Sequence, residues 1–309
     1  MSDDLTLDTA DRPAPGILAE LTPLVRRIVA PNGGPFTFTG TCTYVVGRGE
    51  VAVIDPGPDL PGHRDALSRA LEGERVTAIL VTHTHRDHSP GARPLAQATG
   101  APVIGCGLHR RSRPLAEGES DSMEGSGDLA YRPDRVLADG EAYEGRGFRL
   151  VAVATPGHTA NHLAFALPEE NALFSGDHVM AWSTTIVAPP DGSMSEFMAS
   201  LERLRGRPET LYWPGHGGPV RDPQRFVRAL IGHRRAREAA ILARLAAGDR
   251  STEAIVAALY TGLNPALVPA ARLSVFAHLE DLVGQGRATA EGTPDVGGLY
   301  GPGTRPHEA

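Results

Sequence analysis

Lysine is absent from all 309 residues, and every one of the 30 basic side chains is arginine. That excludes a Schiff-base lysine and the lysine of a Walker-type phosphate loop. There are only two cysteines, Cys42 and Cys106. A lone pair gives no disulfide framework and fits a reducing compartment. No apolar run approaches the roughly 18 residues of a membrane span. The first 20 residues are acidic and proline-bearing rather than basic and then apolar, so no export signal is read there. The expectation is a cytoplasmic protein with no membrane partner. Aromatic residues make up 5% of the chain and the net charge is −7. No global positive field draws nucleic acid, and DNA is not expected as a partner.

What is present is strand and helix patterning. Residues 25–29, 41–46 and 51–54 read as strands, with Gly47 and Gly49 turning the chain between the last two. Residues 62–72 read as a helix. VTAILV, at 76–81, reads as a buried strand that delivers a polar loop. A helix over 90–98 and a strand over 102–105 follow. Residues 109–133 are rich in Arg, Gly, Ser and acids and read as a long, mobile surface loop. Strands resume at 148–154, 161–167 and 171–174, a helix covers 195–204, and a last strand covers 210–213. This alternation, with its early hairpins, fits an α/β protein of two mixed sheets packed together and flanked by helices.

The composition changes after Pro219. An Arg- and Ala-rich helix covers 222–247, and Ser251 caps a short helix to Tyr260. Pro269 opens a third helix to Val283, with Gly284 as its stop. Residues 287–289 and 296–300 read as a small hairpin. Three helices and a hairpin are the order of a winged helix. The division expected is 1–220 for a catalytic domain and 221–309 for this smaller helical one.

The chemistry concentrates after VTAILV. Thr82-His83-Thr84-His85-Arg86-Asp87-His88 places three imidazoles and a carboxylate on the loop leaving a buried strand. Zinc takes imidazole nitrogen and carboxylate oxygen at about 2.0–2.2 Å. In extended chain, residues i and i+2 point the same way, so His83 and His85 can grip one ion. Asp87 and His88 lie beyond a bend and can reach a second. A polar surface loop is the alternative, and the density of ligand-type side chains argues against it. Three further segments carry such a side chain just past a strand end, beside small residues. They are Pro156-Gly157-His158-Thr159, Gly176-Asp177-His178 and Pro214-Gly215-His216-Gly217. Each is weak alone; in this order and together they are strong. His162 and His178 read as hydrogen-bonding neighbours. His63, His109, His233, His278 and His307 lie away from the motifs.

The ordered set HTHRDH, PGHT, SGDH and PGHG, preceded by Ile54-Asp55-Pro56-Gly57, resembles the metallo-β-lactamase superfamily. The likeness is to its dinuclear hydrolases of the glyoxalase II type and covers roughly residues 20–220. It implies a four-layer αββα sandwich with the site at one edge. By motif position it implies that His83, His85 and His158 bind a first metal and that Asp87, His88 and His216 bind a second. Asp177 would bridge the two, and Asp55 would orient the ligand loop. The implied cofactors are two Zn²⁺ ions, with Mn²⁺ or iron as accepted alternatives. Water held between them would ionise near neutral pH, with Asp87 keeping the nucleophile in line. Asp177 stands where the commonest class B lactamases carry Cys, which argues against antibiotic hydrolysis. The iron persulfide dioxygenases share several of these motifs.

The C-terminal part, with GHRRAREAAIL at 232–242 and HLEDLVGQG at 278–286, resembles lactamase-like proteins that carry a winged helix. That group includes bacterial hydrolases and an endoribonuclease of single-stranded RNA. Trp182, Thr184 and Thr185, which follow Asp177, are candidate cleft residues. The function expected is hydrolysis of an ester, thioester or similar acyl bond of a small molecule; the alternative is cleavage of RNA phosphodiesters. Arg234, Arg235 and Arg237 form a basic cluster, yet Arg and acids nearly cancel after Asp222. The winged helix is therefore expected to wall the cleft or to form a homodimer contact rather than to read nucleic acid.

Overall fold

The computed structural model describes residues 4–303 apart from 120, 122 and 124, so His307 lies outside the described residues. Strands β1 (Ala19–Glu20), β2 (Val25–Val29), β3 (Cys42–Arg48) and β4 (Glu50–Ile54) pair antiparallel in that order. Helix α1 (Pro61–Ala70) returns the chain so that β5 (Arg75–Val81) runs parallel to β4. Helix α2 (Ala92–Thr99) does the same for β6 (Val103–Gly105), and β7 (Arg135–Val136) adds a further parallel strand. These seven strands form one sheet.

The second sheet contains β8 (Ala142–Gly145), β9 (Phe148–Ala154), β10 (Leu163–Leu167), β11 (Ala172–Gly176) and β12 (Leu211–Pro214). Its pairs are antiparallel except β11 with β12, which are joined through helix α3 (Met194–Arg205). Successive side chains of a strand point to opposite faces. Leu163, Phe165 and Leu167 of β10 accordingly enter the core shared with the first sheet, while Ala164 and Ala166 face α3. The Tyr44 and Phe174 rings meet across the sandwich at 5.1 Å. Helices α1 and α2 cover the outer face of the first sheet, and α3 covers that of the second. The fold is the expected αββα sandwich of mixed sheets.

Two backbone hydrogen bonds tie the sheets together at one edge. Leu163 N donates to Thr82 O at 2.8 Å, and Cys42 N donates to Gly215 O at 2.7 Å. The segments that follow β5, β9, β11 and β12 all emerge there.

Helix α4 (Pro223–Ala246) begins behind an Asp222 cap, α5 (Thr252–Leu259) behind Ser251, and α6 (Val268–Gly284) follows. Val227, Leu230 and Ile231 of α4 pack on the outer core of the sandwich. Ile241, Leu242 and Leu245 of the same helix pack in a third core with Ile255, Phe276 and Tyr300. One helix thus serves both bodies. Two expectations need correction. Gly284 is the last residue of α6 rather than its stop. The closing hairpin pairs β13 (Ala288–Ala290) with β14 (Tyr300–Pro302), because the fully buried Tyr300 ring anchors that register. No helix of the described residues is long and apolar enough to cross a membrane.

Candidate metal centre

All seven ligand-type side chains meet at the joined edge of the sandwich. Their donor atoms fall into overlapping groups whose members lie within 4.8 Å of one another. One holds His83, His85, His158 and Asp177, and another holds Asp87, His88 and His216. In the first, His85 Nδ1 stands 3.1 Å from His83 Nε2 and 3.0 Å from His158 Nε2. Asp177 Oδ2 lies 3.7 Å from His158 Nε2 and 4.0 Å from His83 Nε2. Four ligands held tetrahedrally at zinc bond lengths stand about 3.3 Å apart, and these spacings lie around that value. A shared proton can satisfy only one of the His85 Nδ1 contacts. In the second group, Asp87 Oδ2 is 3.3 Å from both His88 Nε2 and His216 Nε2. Asp177 faces this group as well, with Oδ1 at 3.5 Å from His88 Nε2 and Oδ2 at 3.2 Å from His216 Nε2.

The residues fit a pair of cations. His88 Nε2 and Asp177 Oδ1, which face the cluster, are buried without a hydrogen-bond partner, which is costly unless something else satisfies them. Burial holds the His83 imidazole well below the usual histidine range, lowers His158 and takes His85 down to about 3. Neutral imidazole is the form that binds a cation. Burial also opposes charge on His88 and His216, but the Asp87 and Asp177 carboxylates override it. His88 is raised well above the usual value and His216 to about 9. Burial likewise works against ionising Asp87 and Asp177, and the facing imidazoles hold both well below the usual carboxylate range. One buried carboxylate and one partly exposed call for positive charge here, and a divalent cation supplies it as well as protons do.

Backbone shape makes the cluster compact. A Cβ on Gly215 would stand 2.2 Å from Asp177 Oδ1 and 2.7 Å from His88 Cε1, so only glycine leaves room for both. Gly157 has φ +135° and lies against the backbone of Phe197, which sets the turn that presents His158.

Several of the ligand-type side chains are held from behind. Asp55 accepts from Thr82 N at 2.8 Å and from Thr82 Oγ1 at 2.7 Å, and its Oδ2 lies 2.9 Å from His88 Nδ1. Thr82 Oγ1 also meets His83 Nδ1 at 2.9 Å. His158 Nδ1 donates to Ile186 O at 2.7 Å, and Thr41 Oγ1 donates to Asp87 Oδ2 at 2.9 Å. His162 accepts from Asp177 N at 3.2 Å through Nε2. His178 is buried against Phe197 with neither ring nitrogen hydrogen-bonded.

Of the cleft candidates, Trp182 is half-buried and stacks on Phe38 at 5.0 Å, against Gly217 and next to His216. Thr184 is half-buried beside it. Thr185 is 2% exposed, and its hydroxyl donates to the carbonyl oxygens of Asp177 and His178. It supports the site from beneath and does not line the cleft.

Sequence reasoning missed several neighbours. Phe38 carries a left-handed backbone, φ +55°, with the Arg12 guanidinium 4.4 Å over its ring. His109, set apart by the sequence, meets Thr84 Oγ1 at 3.0 Å through Nδ1 and Asp191 Oδ2 at 3.4 Å through Nε2. Nor is the described part of 109–133 a free loop. Arg86 N donates to Ser126 O at 2.9 Å and Asp128 N to Thr84 O at 2.7 Å, pinning it to the ligand loop. Nothing local marks these contacts, because each joins residues far apart in the chain.

Residues 36–216 match the metallo-beta-lactamase superfamily, and residues 251–297 match the beta-lactamase associated winged helix domain. The chain belongs to the metallo-beta-lactamase superfamily, a hydrolase family, and carries that winged helix at its C-terminal side. A Caenorhabditis elegans protein named beta-lactamase-like protein 2 homolog is 32% identical over 231 residues, 73% of this chain and 72% of that protein. An Aspergillus terreus protein named atrochrysone carboxyl ACP thioesterase is 30% identical over 237 residues, 76% of this chain and 67% of that protein. Among solved structures, a metallo-beta-lactamase family protein of Thermus thermophilus is 27% identical with a TM-score of 0.73, covering 92% of this chain and 100% of that one.

Proposed function

We propose that this protein is a dinuclear, metal-dependent hydrolase that opens the thioester or ester bond of a small acyl substrate. The observation that carries the reading is the Asp177 carboxylate, which faces both donor groups at once. His83, His85, His158 and Asp177 would hold one cation, and Asp87, His88, His216 and Asp177 the other. Imidazole and carboxylate donors suit zinc, and the same set accepts manganese or iron. When bound, two such cations supply Lewis acidity to the attacked carbonyl and acidify water near neutral pH.

The side chains do the rest. Asp87 is the most open of the seven, with 26% of its side chain exposed, and Thr41 fixes one of its oxygens. It is placed to accept a proton from entering water and to hold that water in line. Asp55 and Thr82 keep His83 and His88 in the tautomers that present Nε2 to the cluster. The Trp182 and Phe38 rings offer an apolar wall beside His216 for the acyl group. A relative named as an acyl carrier protein thioesterase supports the acyl reading.

The test is release of free thiol from an acyl N-acetylcysteamine thioester, run beside a labelled single-stranded RNA. Thiol release that stops with a chelator and in His85→Ala is the expected result. RNA cleavage without thioester turnover would replace the acyl reading with the nuclease one.

A further inference from the structure

Arg234 of α4 is 4% exposed, and no carboxylate pairs with it among the described residues. A buried guanidinium is costly, so what it touches matters. It donates through NH2 to the carbonyl of Thr185 and lies 3.4 Å from Ser274 Oγ of α6 through NH1. Its guanidinium sits 5.2 Å over the Phe197 ring. Thr185 and Ile186 are where the contacts converge. Thr185 Oγ1 donates to Asp177 O at 2.7 Å and to His178 O at 3.0 Å, and Ile186 O takes the Nδ1 proton of His158 at 2.7 Å. One dipeptide therefore joins the C-terminal helices to two ligand-bearing segments.

We propose that Arg234 is a positioning residue that clamps the Thr185-Ile186 peptide beneath the metal centre, so that the C-terminal helices set the orientation of His158. With Nδ1 donating to Ile186 O, His158 Nε2 keeps its lone pair and faces His85 and Asp177. Without the clamp, the acceptor that fixes this tautomer and ring plane is free to move. The inference rests on His158 being a metal ligand. It gives the winged-helix part a role in assembling the centre, beyond walling the cleft.

The test is titration of Co²⁺ alone into the metal-free full chain, followed by visible absorption. Arg234→Met and Arg234→Gln are expected to weaken Co²⁺ binding about 10- to 100-fold, as loss of a ligand's support does, and to alter the spectrum. Arg234→Lys, which keeps the charge and a donor, is expected to recover most of the affinity. Arg237→Met removes a cation over the Tyr260 ring at 4.1 Å on the same helix. It should lower the thermal midpoint and leave Co²⁺ binding unchanged. Wild-type affinity and spectrum in both Arg234→Met and Arg234→Gln would overturn the proposal. Should Arg234→Met not fold, the Gln and Lys variants decide it, and equal affinity in both would overturn it. His158→Ala separates the two readings. If it too binds Co²⁺ like the wild type, the ligand assignment fails; if it alone is impaired, only the role of Arg234 fails.

Discussion

Gly215 shows how little space the cluster leaves. Its missing side chain is filled by an Asp177 oxygen and the edge of His88, so Gly215→Ala should push the shared carboxylate aside. The expected outcome is metal affinity lowered by about 10-fold or more, with metal-free stability reduced by about 1–3 kcal/mol. Calorimetric titration and urea unfolding read the two effects separately; unchanged affinity would count against the close approach. His278, outside the ligand-type set, gives a pH prediction. Burial, reinforced by Arg234 and Arg237, pushes it down to about 3, and both ring nitrogens lack partners. The unfolded chain binds this proton near pH 6.5 and the folded one does not. Stability from this residue is therefore complete above pH 6.5 and is lost as pH falls toward 3, at up to about 1.4 kcal/mol per unit. His278→Leu should flatten that part of the pH dependence relative to wild type, and an unchanged slope would contradict the burial argument. At this scale the ligand-type residues were legible, because chemistry-bearing side chains crowd just past apolar strands. Their supports were not: Ile186 acts through a backbone carbonyl, and Arg234 looked like one member of a basic cluster.

Two strands were read to the residue, while 76–81 and 161–167 were off by one or two at their starts. VRRIV and FRLVAVA occupy β2 and β9 as the sequence predicts. Strand β8, AYEG, has no fully buried position and no apolar alternation, so nothing in its sequence announced it. The described part of 109–133 forms no helix or named strand, as the loop reading expects, but it is tied down. Its polar composition suits a solvated loop, yet its hydrogen bonds go to the ligand loop and to the segment that carries Asp191. His109 is the pin. In His109→Ala, Asp191, which is 1% exposed, faces no imidazole, with an expected stability loss of about 1–3 kcal/mol. Amide exchange across the described part of 109–133 should quicken before global unfolding does. Exchange at the wild-type rate would show that the backbone bonds alone hold the segment.

Strand–helix alternation gave only an α/β protein of packed mixed sheets; the αββα order came from the resemblance of the ligand motifs, and the two sheets meet where the ligand-bearing segments emerge. The C-terminal helices were legible as elements, whereas their attachment to the sandwich, through α4 and through Ala277 and Glu280 of α6, was not. That attachment depends on which face each half of α4 buries, and the two halves face different cores. A cation that binds only the folded chain stabilises it by mass action. Exhaustive chelation should therefore lower the thermal midpoint and abolish turnover together, and Zn²⁺ should restore both. The most direct test of the account is the metal content of the purified full chain beside His83→Ala and His88→Ala. The account predicts about two divalent ions per wild-type chain, the number a shared carboxylate between two donor groups implies, and a clear fall in each variant. A wild-type chain that binds no divalent metal on titration, or variants that bind as much as it does, would contradict it.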